Sequence, residues 1–408
     1  MFKKLFSSEL GRGAIVLFVM MNVFNVLNFV FHFLMGRMLG PSDYGILAVL
    51  MSFVYIYGIP SEAIQNLASR YTSKFNLEKD KGKIKFMIVK FFKKGIKIAG
   101  LIFLVSILFS IFLANFLKIN FWLIFLTNLL IFTFFIGPLF RGILQGRKKF
   151  SSLGSSMVIE SSLKLFFAFS LVLFGFKIFG AIIGVLLSVF SGLIILAYFN
   201  KDILKEKIKE TSFDGIYSVS TNYLVVMFVI LLVFSLDIIL AKRFFSAELA
   251  GKYSVLSMLG KIIFLGTIAI SKVMFPLTSE KHENKKNSFN LFKKSFIIVA
   301  VLCLIVTTAY ALFPKLIIGL LYGEQYLDVA NYLVYSGIAL SFLSLSNLTL
   351  IYGLSIDRIK NPYPLFVFLI IEITLLSLFH NTMLNYIFSF MVSNIIMFIG
   401  SFLFIKFK

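Results

Sequence analysis

The sequence predicts an all-α polytopic membrane protein of about twelve transmembrane helices, built as two duplicated six-helix lobes. Three observations carry that expectation. Of 408 residues, 59% are hydrophobic and only 14% charged, whereas a soluble domain has about a quarter charged residues. The apolar residues come in continuous runs of about 20, the length a helix needs to cross a bilayer, and not in the alternating segments of a β-barrel. Finally, one stretch recurs. Residues 37–73 align without a gap on residues 243–279, pairing Arg37 with Arg243, Gly45 with Gly251, Val49-Leu50 with Val255-Leu256, Ala63-Ile64 with Ala269-Ile270 and Thr72-Ser73 with Thr278-Ser279. Internal duplication is the usual build of membrane transporters.

The runs fall at 14–35, 44–66, 95–117, 121–141, 153–175, 178–199, 216–240, 250–272, 294–313, 328–352, 362–380 and 383–404. The first follows a short basic start and is not followed by a small-residue cleavage site, so it reads as a span and not a cleaved leader. The gap after it carries the Gly-Pro-Ser-Asp turn at 40–43. Residues 84–98, IKFMIVKFFKKGIKI, mix lysines with Phe, Ile and Met; they read either as a solvated loop running into a helix start or, the favoured reading, as an amphipathic helix lying on the anionic inner leaflet, with residues 279–295 as the counterpart in the second half. The fourth span ends in Arg141-Gly142-Ile143-Leu144-Gln145-Gly146-Arg147, echoed by 352–358 at the end of the tenth. The halves are therefore a lobe over 1–199, a Lys/Glu-rich cytoplasmic connector over 200–213 and a second lobe over 214–408.

An even number of spans puts both termini on one side. Thirty-one of the 40 Lys and Arg fall on that side and six on the other, with Lys164, Lys252 and Lys261 within or at the ends of spans. The positive-inside rule makes the basic side the cytoplasm. The expected location is the cell membrane, multi-pass, with both termini cytoplasmic. The net charge of +22 would suggest nucleic acid if it formed one patch, but it is dispersed through short loops, so no nucleic-acid partner is expected.

No P-loop, GxGxxG, HExxH or GxSxG is present, and the three histidines are scattered. Neither an enzyme nor a bound cofactor is expected. The lone Cys303 has no disulfide partner in the chain. What remains is polarity inside the spans, where ionisable groups usually face a cavity or a partner. Asn22, Asn25 and Asn28, with His32, form one helical stripe in the first span; it lines a cavity or bonds a neighbouring helix. Pro60 loosens the end of the second. Glu160 and Lys164, four apart, suit an intrahelical ion pair or a substrate contact. Asp237 lies near the outer end of the seventh span, within reach of Lys242 or Arg243, or serves proton or cation coupling. Lys261, in mid-span with no acid within four residues, needs an acid from another helix or an anion in a cavity. Glu372 is one candidate counterion. Arg37 and Arg243 mark the outer rim, as phosphate contacts or simply as helix ends.

The stretch Arg37-Met38-Leu39-Gly40-Pro41-Ser42-Asp43-Tyr44-Gly45 resembles the first extracellular loop of polysaccharide-type flippases, members of the multidrug/oligosaccharidyl-lipid/polysaccharide (MOP) exporter superfamily. Residues 247–253 resemble that family's corresponding second-half loop, and 142–148 its segment after the fourth span. The resemblance implies two six-helix lobes around a central cavity lined by the first two spans of each lobe. It implies as substrate a polyprenyl-(pyro)phosphate-linked oligosaccharide, moved from inner to outer leaflet for surface glycan assembly by alternating access. Membrane lipids and polysaccharide assembly proteins are the implied partners, and ion coupling stays open with no ion named. The alternative within the superfamily is an exporter of drugs or small cations.

Overall fold

The computed structural model describes residues 9–213, 221–284 and 286–405, and every regular element among them is helical. Residues 216–220 of the seventh expected span lie outside the described residues, as do the basic residues Lys3, Lys4, Lys285, Lys406 and Lys408. Among the described residues nine helical runs are long and apolar enough to cross a membrane, joined by a shorter apolar stretch at Tyr363–Leu378. Two of the nine, Val19–Leu77 and Phe150–Phe199, are 59 and 50 residues long, about twice what a bilayer requires. Each breaks midway. Counted as two crossings apiece, they bring the total to the expected twelve.

The breaks have local causes. Helix α1, Glu9–Tyr57, leaves helical geometry at Gly40 (φ 72°, ψ 173°), a conformation that glycine alone adopts readily, and Pro41 follows without an N–H to donate. Helix α2, Ile59–Leu77, restarts beyond Gly58 with Pro60 in its first turn. Helices α3, Lys81–Leu117, α4, Phe121–Asn128, and α5, Leu130–Gly146, follow. Helix α6, Phe150–Leu171, passes through a widened turn with Gly175 at φ 88° into α7, Lys177–Phe199.

The chain divides into two compact units. The first comprises Met1–Leu39 and Phe53–Val219. In it Gly142 and Gly146, one turn apart on α5, seat that helix against α2, where a Cβ at either would strike the carbonyl oxygens of Gln65 and Ser69. Close backbone approach through small residues is how helices associate where no water is expelled. Gln65 Nε2 donates to Gln145 Oε1 at 2.8 Å across the same seam.

The basic stretch at 84–98 is not a separate surface helix. Only a short turn separates α2 from α3, and Asp80 caps α3 by accepting the Lys83 N–H at 3.2 Å. From there one helix of 37 residues runs without interruption. Ile84, Met87 and Ile88 are buried in a core shared with Tyr71, Phe75, Leu144 and Ile203, so packing keeps the segment aligned with the span it leads into.

The connector docks on this helix. Arg147 holds Asp202 with both guanidinium nitrogens, and Lys81 and Lys149 stand at 3.6 and 3.9 Å from the same carboxylate. Lys209 pairs with Asp80 at 2.7 Å. Phe213 sits among Tyr71, Phe86 and Phe91, with ring centroids 5.0–5.8 Å away. The hydrogen bonds from Arg147, then its charge with those of Lys149 and Lys81, hold the Asp202 carboxyl down at about 2. A depressed carboxyl stabilises the folded form fully above its ordinary value near 3.9 and loses that contribution as pH falls through about 2. Asp202→Asn is therefore expected to loosen the connector at neutral pH, read as several-fold faster amide exchange over residues 201–213. The wild type should loosen only on acidification below about pH 3. Unchanged exchange in the variant would contradict this.

The second unit comprises Gly40–Ser52 and Ser220–Lys408; residues 40–52 thus pack apart from the rest of the first-half sequence. Its helices are α8, Thr221–Phe244, α9, Ala247–Glu283, α10, Phe289–Leu312, α11, Pro314–Leu321, α12, Leu333–Ser355, α13, Phe366–Leu378, and α14, Met383–Leu403. Helix α9 carries Pro276 without breaking. It is stitched to α12 by hydroxyl and amide bonds: Ser336 to the Leu256 carbonyl at 2.7 Å, Asn347 to Ser271 at 3.1 Å and Thr278 to Ser355 at 2.6 Å. Gly45 and Gly251, paired by the internal repeat, meet face to face in this unit, and the Tyr44 and Tyr322 hydroxyls lie 3.1 Å apart beside them.

Candidate functional site

Each unit contains an in-span cluster of charged side chains. In the second, Tyr253, Ser257 and Lys261 recur every four residues on α9 and so share a face. That face meets Asp237 of α8. Lys261 Nζ lies 3.1 Å from Asp237 Oδ1, Tyr253 donates its hydroxyl to Oδ2 at 3.1 Å, and Ser257 donates to the same oxygen. The Tyr386 hydroxyl of α14 donates to the Asp237 carbonyl at 2.6 Å. The Lys261 amine also stands 4.8 Å above the ring of Phe234. Both charged residues are 0% exposed. Lys261 has thus found its acid on a neighbouring helix. Asp237 turns inward to it, away from the Lys242 and Arg243 considered from sequence.

Glu372 on α13 is 1% exposed, and neither of its carboxylate oxygens has a hydrogen-bond partner among the described residues. It lies in the electrostatic field of Asp237 and Lys261 without joining their hydrogen bonds. A buried pair plus an unbonded third acid is an arrangement able to hold a proton or exchange one. Among the described residues no group of three or more His, Cys, Asp or Glu is placed to hold a metal ion.

In the first unit the expected Glu160–Lys164 pair does not form. Glu160 instead pairs with Arg141 of α5 at 2.5 Å. Arg141, placed from sequence at the cytoplasmic end of the fourth span, lies within α5 and is mostly buried. Lys164 reaches across to α1, donates to Asn28 Oδ1, and stands 4.4 Å above the ring of Phe31. Asn28 returns its own amide to the Phe24 carbonyl at 2.8 Å. A planar guanidinium suits the carboxylate better than an ammonium does, which leaves the lysine to the neutral amide and the ring. The cluster carries one net positive charge. Asn22 and Asn25 are exposed, while Asn28 and Lys164 are half-buried, so the stripe runs from the surface to the cation. Arg37 is exposed one turn before the Gly40 break, and Arg243 is exposed in the last turn of α8.

Sequence reasoning singled out Lys261 and missed Tyr253 and Ser257, although their four-residue spacing from it is the signal that would have placed all three on one face. Nothing in the sequence pointed to Tyr386, Phe31 or the Arg141 partnership, because each comes from a helix distant in the chain.

Several solved transporters match this fold. The inward-facing conformation of a multidrug resistance MATE family transporter of the MOP superfamily matches with a TM-score of 0.72 at 14% identity, covering 93% of this chain and 94% of that one. The outward-facing conformation of a multidrug resistance MATE family transporter matches at 0.63 and 13%, covering 98% and 96%. A MOP superfamily transporter from Pyrococcus furiosus, whose binding pocket of reverse polarity is said to suggest a different function, matches at 0.64 and 14%, covering 98% and 96%. Curated protein sequences return no match. Twelve crossings among the described residues and a match to those structures along nearly the whole chain make this a multi-pass membrane protein with the MOP-superfamily transporter fold. Residues 10–282, about two-thirds of the chain, match the profile of the family described as polysaccharide biosynthesis protein, and the chain belongs to that family.

Proposed function

We propose that this protein flips a polyprenyl-(pyro)phosphate-linked oligosaccharide from the inner to the outer leaflet of the cell membrane by alternating access, with both termini cytoplasmic. The observation that carries this reading is membership of the polysaccharide biosynthesis family. The first-unit cluster supports it. Lys164 offers a half-buried cation to a phosphate, and the exposed amides of Asn22 and Asn25 offer donors and acceptors to sugar hydroxyls. Lys261 is withdrawn from that role, since its charge is already spent on Asp237. Asp237 and Glu372 are the carboxylates we assign to ion coupling, and polysaccharide assembly proteins are the partners this role would bring.

Lys164→Ala is expected to reduce export of surface glycan at least tenfold, about 1.4 kcal/mol or more of lost transition-state stabilisation, while membrane abundance stays at wild-type level. Export is scored in a host lacking its own flippase, and transport in liposomes carrying a lipid-linked oligosaccharide. Full export by the variant would remove Lys164 from the site. Resistance to cationic drugs without any effect on glycan export would replace the reading with export of small cations.

A further inference from the structure

Helix α3 carries seven lysines and no acid. The first three have partners. Lys81 faces Asp202 and Glu206 at 3.6 and 3.8 Å, Lys83 faces Glu78 at 2.6 Å, and Lys85 donates to the Glu206 carbonyl at 2.6 Å. The last four, Lys90, Lys93, Lys94 and Lys97, are exposed, and none has an acidic partner among the described residues. Lys90 does stand 4.7 Å above the ring of Phe213.

Depth and direction both point these amines at lipid. At about 1.5 Å per residue the helix is about 55 Å long, against a hydrocarbon core of about 30 Å. Its far end is set by Lys118 in the left-handed conformation and by Asn120, which caps α4. Counting back about 20 residues from Leu117 brings the edge of the core to Ile98. The four lysines occupy the next two turns, about 10 Å, at the depth of the headgroups. Positions 90, 94, 97, 101, 104 and 108 fall on one stripe of a straight helix. Its apolar continuation, Leu101, Leu104 and Leu108, is 65, 62 and 73% exposed, whereas Ile84, Ile88 and Ala99 on other faces are buried.

We propose that Lys90, Lys93, Lys94 and Lys97 form a binding stripe for the anionic headgroups of membrane phospholipids at the basic end of the protein. The amines are spread along the helix and do not converge, which suits several separate headgroups and not one pyrophosphate. The unpaired positive charge complements an anionic leaflet, and lysines at that depth are attracted to it individually. Because the same helix docks the connector through Lys85 and Phe213, lipid held on the stripe would brace the connector as well.

The full chain is reconstituted in phosphatidylcholine nanodiscs with trace spin-labelled phosphatidylglycerol or spin-labelled phosphatidylcholine, and the motionally restricted fractions are compared. The wild type should restrict phosphatidylglycerol over phosphatidylcholine by at least about two-fold at low salt. In ~1 M NaCl, where the screening length is about 3 Å, the preference should collapse. K93Q/K94Q/K97Q should lose at least half of it, and K93R/K94R/K97R should keep it, which separates charge from misfolding. Undiminished preference in the glutamine variant overturns the proposal, as does loss in the arginine variant. An equal loss in K281Q/K293Q/K294Q, at the other basic helix end, would also overturn it by making the attraction delocalised. Displacement of the labelled phosphatidylglycerol by one equivalent of a polyprenyl pyrophosphate would overturn it in favour of a carrier site.

Discussion

Lys261→Met is expected to destabilise the protein by about 3–5 kcal/mol, the range for removing one partner of a buried ion pair. It leaves Asp237 uncompensated where both residues are 0% exposed. Asp237→Asn should be costly for the converse reason, since the Lys261 ammonium would lose its charge partner 3.1 Å away. The double variant is expected to recover most of the loss, ending within about 1–2 kcal/mol of wild type. Asparagine keeps an oxygen to accept from Tyr253 and Ser257, and methionine puts an apolar chain of similar length where the ammonium stood over the Phe234 ring. Denaturant titration of the purified protein in mixed micelles measures all four corners of the cycle. Additive single effects would mean that the two charges do not depend on each other, and the pair would lose its standing as the core of the second unit's cluster.

Gly251→Ala and Gly266→Ala should move stability in opposite directions although both lie on α9. In an open helix, alanine for glycine stabilises by about 0.5–1 kcal/mol. Gly266 has nothing within 4 Å of where a Cβ would sit, so it should follow that rule. At Gly251 the same methyl lands on the Pro41 carbonyl oxygen, and a Cβ on Gly45 would come within 2.8 Å of the Gly251 backbone. Backbone cannot yield as a flexible side chain does, so overpacking of about 1–3 kcal/mol is expected to reverse the sign. The same micelle titration reads both variants. A stabilised Gly251→Ala would show that the crossing at Gly45 and Gly251 is looser than described.

The glycine crossing also shows what the repeat could and could not say. Sliding the sequence on itself paired Gly45 with Gly251, but a self-alignment carries no information about which copies touch. That they meet, in the unit containing Gly40–Ser52, is a property of packing. The basic segment at 84–98 teaches the opposite lesson. Its amphipathic pattern was legible, and the reading as a separate surface helix failed because periodicity reports that one face is buried without saying in what. The apolar face found a protein core at Tyr71, Phe75 and Leu144, so the helix stayed collinear with its span.

The sequence by itself determined the class. Composition, the length of the apolar runs and the one-sided lysines require a polytopic helical protein, because a bilayer constrains length and hydropathy residue by residue. It also named Asn28, Glu160, Lys164, Asp237, Lys261 and Glu372, since an ionisable or amide group is costly alone in lipid and stands out for that reason. Only the tertiary structure decided the partners. Glu160 went to Arg141 and not to Lys164, Lys164 went to Asn28, and Lys261 went to Asp237. Pairing depends on distances of a few ångströms between helices far apart in the chain, and neither hydropathy nor spacing along one helix encodes them.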